Sequence, residues 1–165
     1  MLNELKQHAD ITIYYYNPNT YPFEEYIKRY EEFKKLPYPF DIINEEYNEQ
    51  EYLDYVKEYN HLKEGSLRCY KCYELRLKQT AKKAKELGFD FFTTTLSISP
   101  YKSSKWINEL GFKYSEEYGV KFLYSDFKKN EGYKKSIMLS KEFDLYRQEY
   151  CGCRYSIDEL KERKH

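Results

Sequence analysis

Apolar and polar positions along this chain follow two periods in turn. "ITIYYY" (Ile11 to Tyr16) is β-branched and aromatic, and "NPN" (Asn17 to Asn19) stops it, so a strand is predicted there. "PFEEYIKRYEEFKKL" then spaces Phe23, Tyr26, Ile27, Tyr30 and Phe33 three and four apart. That spacing predicts a helix with one buried face, with Pro22 suited to its first turn. "FDII" is a short apolar run, and "NEQEYLDYVKEY" is helical again through Tyr52, Leu53, Val56 and Tyr59. After Gly65 the segment "CYELRLKQTAKKAKEL" reads as a long helix closed by Gly88. "FDFFTTTL" reads as the clearest strand, and "SISPYKSS" leads into a helix through Trp106, Ile107 and Leu110. "VKFLYS" is another strand, "YKKSIMLSKEF" another helix, and "SIDELKERK" a terminal helix with Ser156 and Glu159 spaced as a capping box.

Strands separated by single helices predict parallel βαβ units. The expected fold class is therefore α/β, a layered parallel sheet in one domain over residues 1–165, with no internal repeat or linker. One feature breaks the alternation. "ITIYYY" follows a helical fragment that begins at the initiator Met, so the N-terminal unit of the fold is expected to be truncated.

Composition changes where the core is sought. With 21 Tyr and 10 Phe, rings carry much of the burial that aliphatic side chains usually carry. The 28 basic and 28 acidic residues balance, so a polyanionic partner would need a local basic patch. No apolar run approaches the ~20 residues that cross a bilayer, which argues against a membrane partner. The first residues show no secretory signal, and a cytoplasmic location, where thiols stay reduced, is expected.

That expectation sharpens the cysteines. Cys69 and Cys72 are a CxxC at a predicted helix start, where the dipole favours thiolate. Cys151 and Cys153 flank Gly152, which removes crowding and permits an unusual φ. Four thiolates suit zinc or an iron–sulfur cluster. Unrelated buried thiols and a thioredoxin-like redox pair are the remaining readings. The pairs are expected to converge at the sheet edge where parallel strands end.

"TTTLSISPYKSS" puts hydroxyls, Ser99 among them, at a strand's carboxyl end, where α/β folds bind ligands; serine capping of the next helix is the plain alternative. Asn17 is similar, a ligand contact or a turn residue. Lys82 and Lys83 read as a solvated helix face, whereas Lys102, Lys128, Lys129, Lys134 and Arg147 lie near loops at the ligand edge. Aromatics beside them would suit stacking on unpaired bases. His8, His61 and His165 show no ligand spacing.

Taken in order, "YYYNPNTYP", "RCYKCYELRLKQTA", "GFDFFTTTLSISPYKS" and "LYSDFKKNEGYKKSIMLSKEFDLYRQEYCGCRYS" resemble the QueH-type epoxyqueuosine reductases from about Ile11 to Ser156. The resemblance implies a Rossmann-like, adenine-nucleotide-hydrolase-like fold with a three-layer parallel sheet. It also implies reduction of epoxyqueuosine to queuosine at the wobble position of tRNAs with GUN anticodons. It further implies a 4Fe–4S cluster with a nearby mononuclear iron, no cobalamin, and an external electron donor. Cys69, Cys72, Cys151 and Cys153 would then be ligands, with Asp126, Tyr101 and Tyr150 as candidate proton donors. Asn17, Ser99, Lys102, Lys128, Lys129 and Arg147 would meet substrate. Zinc is the alternative metal, and a non-catalytic metal-stabilised tRNA-binding module or inactive truncated paralogue the alternative function. Nucleotide-dependent tRNA thiolation is set aside because no glycine-rich pyrophosphate loop follows the first strand. The family pattern also includes an upstream "CC" pair and a further Cys that these residues do not contain. Lower stability and little activity are accordingly expected of the 165 residues alone.

Overall fold

The computed structural model describes residues 5–37, 40–129 and 131–163. In chain order the elements are β1 (Thr12–Tyr15), α1 (Phe23–Glu31) with a 3-10 turn over Glu32–Lys35, β2 (Asp41–Asn44), α2 (Glu49–Val56) and α3 (Leu67–Glu86). There follow β3 (Phe91–Phe92), α4 (Ser104–Tyr118), β4 (Lys121–Phe122), α5 (Gly132–Glu142) and α6 (Arg154–Arg163). The helical fragment expected from the initiator Met, like His165, falls wholly or partly outside the described residues. The chain forms two compact units, Met1–Glu49 with Lys134–His165, and Gln50–Tyr133. Its class is α/β with short parallel strands.

In the first unit β1 and β2 pair in parallel, from Thr12 opposite Asp41 to Tyr15 opposite Asn44. Tyrosine makes this core, as the composition suggested. Tyr15 and Tyr26 are both buried. The Tyr15 ring lies 5.0 Å from that of Tyr26, 5.2 Å from Tyr30 and 5.5 Å from Phe33. Buried phenols need acceptors. Tyr15 donates to the Tyr26 carbonyl at 2.9 Å and Tyr26 to Asn44 Oδ1 at 2.8 Å, tying α1 to both strands.

In the second unit α3 and α4 pack against the parallel pair β3 and β4. Leu77, Ala81, Ile107, Leu110, Phe92 and Phe122 belong to one buried cluster, which also takes in Cys69. Gly88, with φ 71°, ends α3 in the left-handed region as expected. Ser103 caps α4, accepting from the Trp106 N–H at 3.3 Å.

Two expectations need correction. "FDFFTTTL" and "VKFLYS" each give only two strand residues, because side chains take over the backbone partners beyond them. Thr93 Oγ1 donates to the Leu123 carbonyl at 3.0 Å and Thr94 Oγ1 accepts from the Leu96 N–H at 3.2 Å. The Ser125 peptide is claimed by Asn108. Among the described residues β1 pairs with β2 in one unit and β3 with β4 in the other. Second, α6 starts at Arg154, so Ser156 is no N-cap; its hydroxyl donates to the Cys153 carbonyl at 2.8 Å inside the first turn.

Candidate metal and substrate sites

The first cysteine pair sits where the sequence put it, at the start of α3, with Cys69 on its first turn and Cys72 on its second. Cys69 and Cys72 are buried, and the Gly65 N–H donates to Cys69 Sγ at 3.3 Å. A helix N-terminus favours negative charge, which suits a ligating thiolate. The next residue, Tyr73, carries the Lys102 ammonium over its ring at 5.8 Å, bringing the loop after β3 to this helix.

The second pair belongs to the first unit. Cys153 is buried directly ahead of α6, and its carbonyl accepts from the Ser156 and Ile157 N–H groups at 3.1 and 3.3 Å. Cys151 is half-buried. Gly152 between them has φ 124°, a conformation an L side chain resists. Its carbonyl accepts from the Tyr21 N–H at 2.8 Å. The Tyr150 hydroxyl bonds the Tyr21 carbonyl, and burial, then the nearby Glu25 carboxylate, push this phenol up to about 12 despite Arg29. Tyr150 therefore keeps its proton at neutral pH.

None of the four sulfurs is in a disulfide. As donors they fit a metal or cluster, with two thiols one helical turn apart and two across a glycine. Among the described residues no three His, Cys, Asp or Glu side chains form a group that could hold a metal ion. Cys69 and Cys72 belong to the second unit, Cys151 and Cys153 to the first.

The loops after β3 and β4 carry the other candidates of the second unit. They are stitched together by the Thr93–Leu123 bond, by the Phe127 N–H donating to Ser97 Oγ at 3.2 Å, and by Lys128 Nζ donating to the Lys102 carbonyl at 3.0 Å. Asp126 is held at this edge with its side chain 7% exposed. Its Oδ2 lies 3.2 Å from Lys129 Nζ, while Oδ1 is buried with no hydrogen-bond partner among the described residues. Ser99 Oγ accepts from the Tyr101 N–H at 3.4 Å, and the Tyr101 side chain is 83% exposed. Tyr124, which the sequence reading passed over, is also exposed beside Lys129. An exposed ring flanked by lysines was the signal available for it.

Asn17 and Arg147 are in the first unit. The Asn17 carbonyl accepts from the Thr20 N–H at 3.1 Å, as in a turn. Arg147 Nη1 donates to Ser140 Oγ at 3.0 Å. Lys134 is also in that unit, so the five basic residues divide between the units as two and three. Lys82 and Lys83 lie on α3 beside Glu86, 3.9 and 3.7 Å from its carboxylate, an ordinary helix face.

Asn108 and Glu74 are among the buried polar residues that escaped the sequence reading. Asn108 of α4 donates from Nδ2 to the Ser104 and Ser125 carbonyls at 2.7 and 2.8 Å, and its Oδ1 accepts from the Ser125 N–H at 2.8 Å. Glu74 of α3 accepts from Lys71, Lys113 and Tyr114 at 2.6, 3.0 and 3.1 Å. Burial pushes its carboxyl up, but the two ammonium groups outweigh burial and bring it down to about 2.

Parallel βαβ units, polar loops at the strand ends and a thiol pair beside a helix start in each unit define an α/β protein with candidate thiolate ligands. The family model described as "Epoxyqueuosine reductase QueH" matches residues 1–159, and the chain belongs to that family. It is 42% identical over 163 residues to "Epoxyqueuosine reductase QueH" of Streptococcus pyogenes serotype M1, covering 94% of this chain and 64% of that one. The protein of the same name from Staphylococcus epidermidis is 40% identical, with 92% of this chain and 68% of that one covered. The one from Thermotoga maritima is 39% identical, with 93% and 83% covered. The chain thus spans about two thirds of the length of the first two of these relatives. No helix among the described residues is long and apolar enough to cross a membrane.

Proposed function

We propose that this chain is an epoxyqueuosine reductase that converts epoxyqueuosine to queuosine at the wobble position of tRNAs with GUN anticodons. The observation that carries the proposal is the family match across residues 1–159 together with four thiols in two ligand-spaced pairs. In the proposal Cys69, Cys72, Cys151 and Cys153 hold a 4Fe–4S cluster with a neighbouring iron, zinc being the alternative occupant. When bound, the cluster supplies electrons one at a time from an external donor. The protein is proposed to work in the cytoplasm as one domain of Rossmann-like, adenine-nucleotide-hydrolase-like fold with a three-layer sheet.

The overall change is a deoxygenation. Both C–O bonds of the epoxide break, a C=C bond forms, and the oxygen leaves as water with two electrons and two protons. The chain's own residues must bind the nucleotide and deliver protons. Asp126 and Tyr101 are the proposed proton carriers, Asp126 because it is held at the loop edge by Lys129, Tyr101 because its exposure lets it meet a bound substrate. Lys102, Lys128, Lys129 and Arg147 are proposed to take phosphates, and Asn17 and Ser99 polar groups of the nucleotide. Lys128 is partly committed to the Lys102 carbonyl, so Lys129 offers the more exposed charge.

The test is anaerobic reconstitution with iron and sulfide, followed by incubation with reductant and epoxyqueuosine-containing tRNA. Expected are a brown protein, loss of one oxygen mass from the nucleoside, and loss of turnover in Cys69→Ser and in Cys153→Ser. A colourless zinc protein that binds tRNA but leaves the epoxide intact would replace this reading with the non-catalytic module.

A further inference from the structure

We propose that Arg29 is the positioning residue of the Cys151–Cys153 turn, a guanidinium clamp that aims both thiols before a metal arrives. The proposal rests on the reading of these cysteines as ligands. Arg29 projects from α1, 122 residues upstream of Cys151. Its Nη1 donates to the Cys151 carbonyl and its Nη2 to the Tyr150 carbonyl, each at 3.2 Å. A planar fork can engage two successive carbonyls at once, which a lysine ammonium cannot do with fixed geometry. The third arm, Nε, lies 2.7 Å from Glu25 Oε1, and that ion pair holds the fork from behind. The Tyr150 ring lies 5.4 Å from the guanidinium carbon. Tyr146 donates to the same Glu25 carboxylate at 3.1 Å, so the carboxylate is itself fixed.

The glycine of the turn belongs to this device. A Cβ built on Gly152 would fall 2.6 Å from Arg29 Nη1, so the guanidinium occupies the space a side chain would need. With φ 124° held by the Tyr21 N–H on the Gly152 carbonyl, carbonyls 150, 151 and 152 are all engaged. The direction in which Cys151 and Cys153 leave the backbone is then set by protein contacts. Ordering the ligands in advance removes an entropy cost from metal binding. Partners of this kind, one step out from the ligands, are typically worth about 10–100-fold in metal affinity.

The experiment titrates the reduced, metal-free 165-residue chain with Co²⁺ alone, following thiolate-to-cobalt absorption. The parent is compared with Arg29→Gln, Arg29→Lys, the double variant Cys151→Ser/Cys153→Ser, and Ile107→Val as a destabilised variant in the other unit. Arg29→Gln should weaken cobalt binding about tenfold or more. Arg29→Lys should recover only part of it, and Ile107→Val should lower the melting temperature without moving cobalt affinity. Cobalt affinity within twofold of the parent in Arg29→Gln, or full recovery in Arg29→Lys, would overturn the proposal. Should Arg29→Gln not fold, Arg29→Lys decides alone: parental affinity overturns it, weakened affinity supports it. Binding unaffected by the double cysteine variant would overturn both this and the ligand reading. Tight cobalt binding without turnover on tRNA would sink the reductase reading and leave the clamp standing.

Discussion

At Gly152 a single hydrogen atom in place of a side chain serves two needs, a positive φ and the passage of Arg29. Gly152→Ala therefore meets strain in the left-handed region and a displaced guanidinium together. It should destabilise the chain by about 2 kcal/mol or more, read as a shift in the urea midpoint at constant slope. Asn108 makes the complementary case. Asn108→Leu keeps the branched shape but strands the Ser125 N–H and carbonyl in a buried site, and should cost about 3 kcal/mol. Both residues sit in motifs that could be read differently from sequence. The glycine of "CGC" announced itself, because only glycine removes crowding between two ligands. Arg29 did not: in "EEYIKRYEEF" it looks like one more charge on a solvated face, and no local pattern reports a partner 122 residues away.

At the scale of elements, the helices were legible because their periods are long. α1, α3 and α4 appear where apolar spacing and Gly88 placed them. The strands were overread, since hydroxyl and amide side chains end β3 and β4 after two residues and such competition has no period. Glu74 was hidden for a related reason, an acid among the ring and aliphatic positions of α3. Its carboxyl is drawn from 4.5 to about 2, so its stabilising effect is fully present above 4.5 and is lost as pH falls from there towards 2. Glu74→Gln should accordingly be less stable than the parent at pH 7. The gap between them should close as pH drops through that window, as measured by thermal unfolding at each pH. A gap that stays constant down to pH 2 would mean that the ion pairs with Lys71 and Lys113 contribute nothing.

For the whole molecule the question is what the two thiol pairs do together, since one belongs to Gln50–Tyr133 and the other to the unit with both chain ends. Sequence order supplied the family and the four candidate ligands, but spacing within each pair says nothing about distance between pairs. Linkage offers a test that needs no turnover. A metal that binds only the folded chain stabilises it by about 2.7 kcal/mol at a hundredfold excess over Kd. For a chain of this size that is a rise of about 5–10 °C in melting temperature. If all four thiols serve one centre, Cys72→Ser and Cys151→Ser should each remove most of that rise, and chelation should return the parent to its metal-free melting temperature. Should only one of the two variants abolish the rise while the other retains it in full, the four-ligand proposal fails. The metal would then belong to one pair alone, and the other cysteines would need a different role in the reaction.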